Sequence, residues 1–242
     1  MKITIIIPSY NTGAFLEECV DSAFAQSYQN IEVILVDNES TDDTPAVIDK
    51  LKNKYPTLIT DSAPNIYKYS WEEPVDKALS LATGEYFTIL GSDDYLESEY
   101  IQNYVKILQG NSNKVFLIQS VLRTFDNSNK TRHSFISHQY GNIGDLKQKM
   151  LTHSPVATPT MFYNMKLYKQ GLIKWNSDKF LGSCDYALYC SLVDLGYYIY
   201  SFPGWLGYNY RWHPSQSTWG MKREPTDYDR IIQNHWKEKW KM

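Results

Sequence analysis

The chain opens on an unbroken run of β-branched residues, positions 3–7, which Pro8 halts; Phe15, Leu16, Cys19, Val20 and Ala23 then recur at helical spacing. A continuous apolar run predicts a strand covered on both faces, and a recurrence every three to four residues predicts one buried face of a helix. A second apolar run at 31–36 completes a β-α-β unit, and the polar stretch 37–45 carries helix-start signals ahead of Val47, Ile48 and Leu51. Residues 57–63 predict a short third strand. Val75, Leu79 and Ala82 predict a helix that Gly84 stops, and residues 86–90 predict a central strand. Such alternation implies a mainly parallel sheet with right-handed crossovers, which brings the ends of strands one, two and four to one edge.

Further on, the pattern predicts a helix over 98–108 and a strand over 114–122, followed by a polar hairpin or loop over 123–140. A short helix over 146–151 and an extended segment over 155–163 come next. Leu188, Leu192 and Leu195 share one face of a later helix, and 197–202 reads as a strand. The tail, 228–242, is a helix with Ile231, Ile232, Trp236 and Trp240 between lysines 237, 239 and 241. Docking on its own domain with the lysines in water is the first expectation for it. Peripheral contact with an anionic membrane surface is the alternative. No repeat or low-complexity linker divides the chain, so a single domain is expected.

Composition narrows the classes. With 43% hydrophobic and 21% charged residues the chain is able to bury a full core, and a net charge of −3 gives no pull toward nucleic acid. Twenty Tyr and seven Trp suit packing for the most part, with a carbohydrate-stacking surface as the other use. Three cysteines, Cys19, Cys184 and Cys190, have neither an even count nor metal-ligand spacing, which fits a reducing compartment. The amino terminus does not read as a signal peptide, and no apolar run reaches membrane-spanning length, so a cytoplasmic location is expected.

The candidate chemistry lies at strand ends. The central strand stops at Gly91, Ser92, Asp93 and Asp94, where a small residue and two acids read as oxygen ligands for a hard divalent cation beside a phosphorylated substrate. An N-cap with an acidic first turn is the equal alternative. Asp37, ending strand two, suits a hydrogen bond from a ribose hydroxyl or base edge, or else a plain turn. Neither a Gly-x-Gly-x-x-Gly loop nor a Walker loop is present. Asp185 falls in the first turn of its helix, where dipole-favoured capping is the commoner use. Arg211 and His213 offer a guanidinium for a diphosphate and an imidazole for a metal.

Taken together, IPSYN at 7–11, VDNESTDDT at 36–44, ATGEYFTILGSDDYL at 82–96, CDYALYCSLVDLG at 184–196 and YRWHPSQS at 210–217 resemble the family 2 glycosyltransferases in order and over nearly the whole chain. The resemblance implies an α/β fold of the GT-A type: a mainly parallel central sheet flanked by helices, with a C-terminal acceptor-side extension. It implies one domain over 1–242, with a nucleotide-sugar half at 1–110, an acceptor and catalytic half at 111–220 and a helical tail at 221–242. By the same resemblance Pro8, Ser9 and Tyr10 lie against base and ribose, Asp37 bonds the base, and Ser92, Asp93 and Arg211 face the donor. Asp93, with Asp94 behind it and His213 near, holds Mn²⁺ or Mg²⁺, and Asp185 is the general base.

The implied reaction is inverting, metal-dependent transfer from a nucleotide-diphosphate sugar, a UDP-sugar foremost. The acceptor is a hydroxyl of a glycan or lipid-linked saccharide in surface polysaccharide synthesis, with specificity expected in segments 64–73, 123–142 and 204–227. Three departures stand out: Gly91 replaces the first acid of the metal motif, Cys184 the Glu before the base, and Asn38 a second Asp after strand two. Two rival readings are a sugar nucleotidyltransferase, which needs a basic glycine-rich loop where residues 9–13 have no Lys or Arg, and a catalytically silent carbohydrate-binding relative, suggested by Gly91.

Overall fold

A computed structural model describes residues 1–111, 114–126, 131–135 and 140–242. The first half alternates as its runs predict: β1 (Ile3–Ser9), α1 (Gly13–Phe24), β2 (Ile31–Asp37), α2 (Thr44–Lys54), β3 (Ile59–Ser62), α3 (Glu72–Leu81) and β4 (Tyr86–Ile89). Then come β5 (Tyr95–Leu96), α4 (Tyr100–Leu108), β6 (Leu117–Asp126), β7 (Thr131–Phe135), α5 (Ile143–Met150), β8 (Phe162–Asn164), α6 (Met165–Lys169), α7 (Ser177–Phe180), α8 (Cys184–Asp194), β9 (Ile199–Trp212), α9 (Ser217–Met221) and α10 (Tyr228–Trp240). Single 3₁₀ turns at Thr158–Thr160 and Leu181–Ser183 precede β8 and α8.

Parallel pairing joins β3 to β2, β2 to β1 and β1 to β4, with Ser9 opposite Asp37 at the carboxyl ends. Strand β1 is flanked on both sides, and helices cover both faces. Ile3, Ile5 and Ile7 pack with α1, α2 and α4, and Ile6 packs with α3 and α8. Positions 3–7 are fully buried on both faces, which is why the sequence shows a run rather than an alternation.

Beyond β4 the order is β8, β6, β9 and β5, with β7 paired to β6. Strands β4 and β5 are joined by residues 90–94 alone, yet three strands lie between them in the sheet. At a spacing of about 4.8 Å per strand, a flat sheet would separate them by about 19 Å. A fully extended link of that length reaches only about 20 Å. This link is folded into a turn, with Asp94 N–H donating to the Gly91 carbonyl at 2.9 Å, so the sheet curls and β9 bends back toward the carboxyl end of β4.

The curl explains where the strand pattern misleads. The strand expected over 197–202 runs on to Trp212, because Pro203, Gly204 and Gly207 are not terminators but lie where β9 slips register against β6. Between Gln119 and Val121, and again between Val121 and Arg123, β9 uses more residues than its partner, the signature of bulges that bend a strand. Strand β6 likewise runs beyond Leu122 to Asp126 and pairs with β7, so residues 123–140 do contain a hairpin; positions 127–130 and 136–139 of that segment lie outside the described residues.

Seven of the twenty tyrosines lie in the core. Tyr86, Tyr100, Tyr104, Tyr163, Tyr186, Tyr189 and Tyr208 are fully buried, and the hydroxyls of Tyr163 and Tyr189 bond each other at 2.6 Å. All three cysteines are free and buried. The tail helix is docked: Ile232 and Trp236 join the core, Trp240 Nε1 donates to Asp194 at 2.9 Å, and Lys239 pairs with the same carboxylate. Among the described residues no helix is long and apolar enough to cross a membrane.

Candidate active site

The turn after β1 and the turn after β4 are tied by hydroxyls. Ser9 Oγ lies 2.9 Å from Thr12 Oγ1, and Thr12 Oγ1 donates to Ser92 Oγ at 2.9 Å. Beside them Asp37 accepts from the hydroxyl of Ser40 at 2.6 Å and from its amide at 3.1 Å, which fixes the carboxylate at the end of β2. Tyr10 is exposed, and Asn11, in the left-handed region at φ 53°, turns its side-chain oxygen to the amide of Thr41. Pro8, Ser9, Tyr10, Asp37 and Ser92 thus rim one end of the parallel sheet. Thr12, which links the two turns, is a residue that sequence reading missed.

The adjacent acids after β4 are put to different uses. Asp94 is buried, and its two oxygens accept from the Tyr208 hydroxyl and the Arg211 amide, both at 2.7 Å. Burial, followed by the neighbouring Asp93 charge, pushes its carboxyl well above the usual range. Asp94 therefore braces β9 against the turn, an arrangement unlike the metal contact expected of it. Asp93 stays partly open, with Oδ2 2.9 Å from His213 Nε2.

Arg211 spans both elements. Its Nε donates to the Asp93 carbonyl at 2.7 Å, and its guanidinium pairs with Glu18 on α1 while lying against the rings of Phe15 and Phe125. His213 is positioned by Ser215 Oγ at 2.9 Å from Nδ1, and by Gln216 and Trp219 at its backbone. Glu18 was also missed. It falls three residues after Phe15 on the same helix, and the periodicity marks only the core face.

Asp185 stands in the first turn of α8, where its Oδ2 accepts from the Thr158 hydroxyl at 2.7 Å and its Oδ1 from the Tyr186 amide at 2.6 Å. Desolvation raises its carboxyl to about 6 against these hydrogen bonds, with Asp229 adding to the rise. Thr158 ties this acid to the central sheet. Strand β8 runs antiparallel to β4, with Phe162 opposite Thr88, so the 3₁₀ turn preceding β8 projects past the carboxyl end of β4, the end that carries residues 91–94.

The sequence model described as Glycosyl transferase family 2 matches residues 4–172. The chain belongs to this family. A chondroitin synthase of Pasteurella multocida (strain Pm70) is 28% identical over 197 residues, covering 80% of this chain and 19% of that protein. The Escherichia coli UDP-Glc:alpha-D-GlcNAc-diphosphoundecaprenol beta-1,3-glucosyltransferase WfaP is 36% identical over 118 residues, 49% of this chain and 45% of that one. The family 2 chain thus spans less than half the length of either curated relative. Residues 1–349 of S. aureus TarS, solved with UDP-GlcNAc, superpose with a TM-score of 0.72 at 18% identity, covering 96% of this chain and 65% of that one. The mannosyltransferase PcManGT of Pyrobaculum calidifontis, solved with GDP-Man and Mn²⁺, gives 0.63 at 17%, covering 96% and 68%. The curled sheet flanked by helices is the GT-A fold of such structures.

Packing accounts for the departures of this family 2 member from the usual motif. At Gly91 a Cβ would lie 2.8 Å from Asp94 Oδ2 and 3.1 Å from Asp93 Oδ1, because both carboxylates fold back over it. Restoring the acid, Gly91→Asp, is expected to cost about 1–3 kcal/mol through overpacking and crowding of like charge. A urea melt checks this, and an unchanged midpoint would count against the packing account. Asn38 is buried with its side-chain amide beside the carbonyls of Ala63 and Pro64; turned with its nitrogen toward them it donates to both, which a carboxylate cannot do. Cys184 is buried beside Ser70 and Ser177, its thiol pushed up to about 12 by desolvation.

The donor set fits a divalent cation shared with a substrate. Among the described residues no group of three His, Cys, Asp or Glu side chains is placed to hold a metal by itself. Asp93 and His213 face each other as a carboxylate oxygen and an imidazole nitrogen. Mn²⁺ or Mg²⁺ held by one or two protein groups commonly completes its shell with phosphate oxygens and water.

Proposed function

We propose that this chain is an inverting glycosyltransferase that moves a sugar from a nucleoside diphosphate to the hydroxyl of a glycan or lipid-linked saccharide, in polysaccharide assembly. One observation carries the reading: Asp93, His213 and Arg211 cluster at the sheet edge to which Thr158 tethers Asp185. The uridine preference rests on likeness to the TarS complex and on the relative named for UDP-Glc. Buried free thiols favour a cytoplasmic setting, and the exposed Lys237 and Lys241, rather than the Asp194-paired Lys239, are the tail lysines placed to meet an anionic membrane.

The chemistry follows from the side chains. Ser9, Tyr10 and Asp37 hold the nucleoside, and Arg211 offers a planar fork to the diphosphate oxygens. Asp93 and His213 would be the protein ligands of Mn²⁺ or Mg²⁺, which when bound neutralises the departing diphosphate as a Lewis acid. Asp185 takes the proton from the acceptor hydroxyl as its oxygen bonds to the anomeric carbon. The bond from that carbon to the phosphate oxygen breaks, and its electron pair leaves with the diphosphate. Displacement from the face opposite the leaving group, with no covalent enzyme intermediate, inverts the configuration.

The test is release of free nucleoside diphosphate from a panel of UDP- and GDP-sugars with Mn²⁺. Turnover of at least one donor is expected. Pyrophosphate release from a nucleoside triphosphate and a sugar 1-phosphate, with no donor turnover, would identify a nucleotidyltransferase instead.

A further inference from the structure

A cavity of about 460 Å³ opens beside the helix that carries Asp185. It lies between the turn Leu181–Ser183, helix α9 and the segment 222–229 leading into α10, and its size is within the range of about 300–1,000 Å³ usual for small-molecule sites. Its walls are clamped together. A Cβ at Gly182 would lie 2.3 Å from Met221 Sδ, one at Gly220 would lie 2.4 Å from the Tyr69 ring, and Lys68 Nζ pairs with Glu224 at 2.7 Å.

Two features of the lining point to a ligand class. Tyr69 and Tyr228 bring rings with an apolar face and a hydroxyl edge, and Ser183, Thr218 and Thr226 add hydroxyls. That mixture suits a pyranose, which has apolar faces and a rim of hydroxyls. The charge of the lining is lopsided. The lining carries three acids, Glu224, Asp227 and Asp229, and one cation, Lys222, whose ammonium lies 4.9 Å from the Trp219 ring; Lys68 pairs with Glu224, and Asp227 accepts from the Arg230 amide at the start of α10. Asp229 also acts electrostatically on Asp185, so the cavity and the base are near neighbours.

Building on the reading of Asp185 as the base, we propose that this cavity seats the acceptor and that its acidic wall selects an uncharged saccharide over one bearing carboxylate or phosphate. An added anion placed about 7 Å from one unpaired carboxylate, at an intermediate effective dielectric, is disfavoured by about fivefold to tenfold. The base then receives a neutral hydroxyl with no competing anion beside it.

Ligand-observed NMR on the full chain tests this with cellobiose, chitobiose, lactose and maltose as uncharged probes and with hyaluronan and chondroitin tetrasaccharides as anionic ones. At least one uncharged disaccharide is expected to bind at least about fivefold more tightly than either anionic probe. Thr226→Trp, which fills the cavity, is expected to weaken that binding at least about tenfold. Asp229→Asn, at an exposed position, is expected to narrow the preference. Anionic probes binding equally or better, no disaccharide binding, or binding untouched by Thr226→Trp and a preference unmoved by Asp229→Asn would each overturn the assignment. Donor hydrolysis by the wild-type chain with no saccharide present tests the underlying transferase reading separately.

Discussion

Replacing Asp185 by Asn is expected to lower transfer by about 10²–10⁴-fold in kcat, the usual worth of a positioned general base, while leaving the donor KM nearly unchanged. The same change is expected to stabilise the fold at neutral pH. In the folded chain the carboxyl is raised to about 6 from its usual 3.8 by desolvation, so the fold favours the protonated form. Below the unfolded value both states are protonated and Asp185 costs nothing. As pH rises from about 4 toward 6 the unfolded chain ionises first, and above 6 the folded chain must carry the partly desolvated charge at a cost of up to about 3 kcal/mol. Asn carries no charge, and it retains an oxygen for the Tyr186 amide and an amide group able to donate to Thr158. Its melting temperature should therefore exceed that of the wild type at pH 8 and match it near pH 4. Wild-type turnover should fall as pH drops through about 6. Full activity in Asp185→Asn, or a stability difference independent of pH, would remove Asp185 from the role of base.

What could be read from the sequence and what could not divide along physical lines. The β-α-β half was legible because residues 3–7 and 31–36 belong to strands covered on both faces, so each is an unbroken apolar run ending in a polar turn. Asp93 stood out for a related reason, being polar where the run 86–90 gives out; Arg211 and His213 stood out by their side-chain chemistry alone, since the strand pattern stopped at 202 while β9 runs on to Trp212. The curl was not legible. It is produced by bulges at Pro203, Gly204 and Gly207, residues that locally signal an end of structure. Strand β8 has three residues and no pattern of its own; its place is set by its neighbours β4 and β6. Glu18 escaped notice because helical periodicity identifies the face of α1 that meets the sheet, whereas Glu18 acts from the other side. The division of labour between Asp93 and Asp94 was hidden too, since it depends on Tyr208 and Arg211 arriving from more than a hundred residues away.

That division yields a second large effect. Asp93→Ala is expected to cut transfer by about 10³-fold, because it removes a carboxylate from the place where leaving-group charge develops. Binding of UDP, followed by calorimetry, should lose its dependence on Mn²⁺ in the same variant. The fold should tolerate the change within about 1 kcal/mol, since the Asp93 side chain is partly open to water and bonds to His213. The Arg211 Nε bond survives because it goes to the main-chain carbonyl of residue 93. Asp94→Ala should behave in the opposite way. It leaves the Tyr208 hydroxyl and the Arg211 amide buried without their acceptor, at about 1–3 kcal/mol each, and opens a cavity where β9 returns to the turn. Its loss of activity should track loss of folded protein in a denaturant melt. Two neighbouring carboxylates, one spending its oxygens on the fold and the other facing His213, should therefore separate cleanly when activity is plotted against stability. If Asp93→Ala keeps both Mn²⁺-dependent UDP binding and turnover, the cation does not sit between Asp93 and His213 and the site must be rebuilt around other donors.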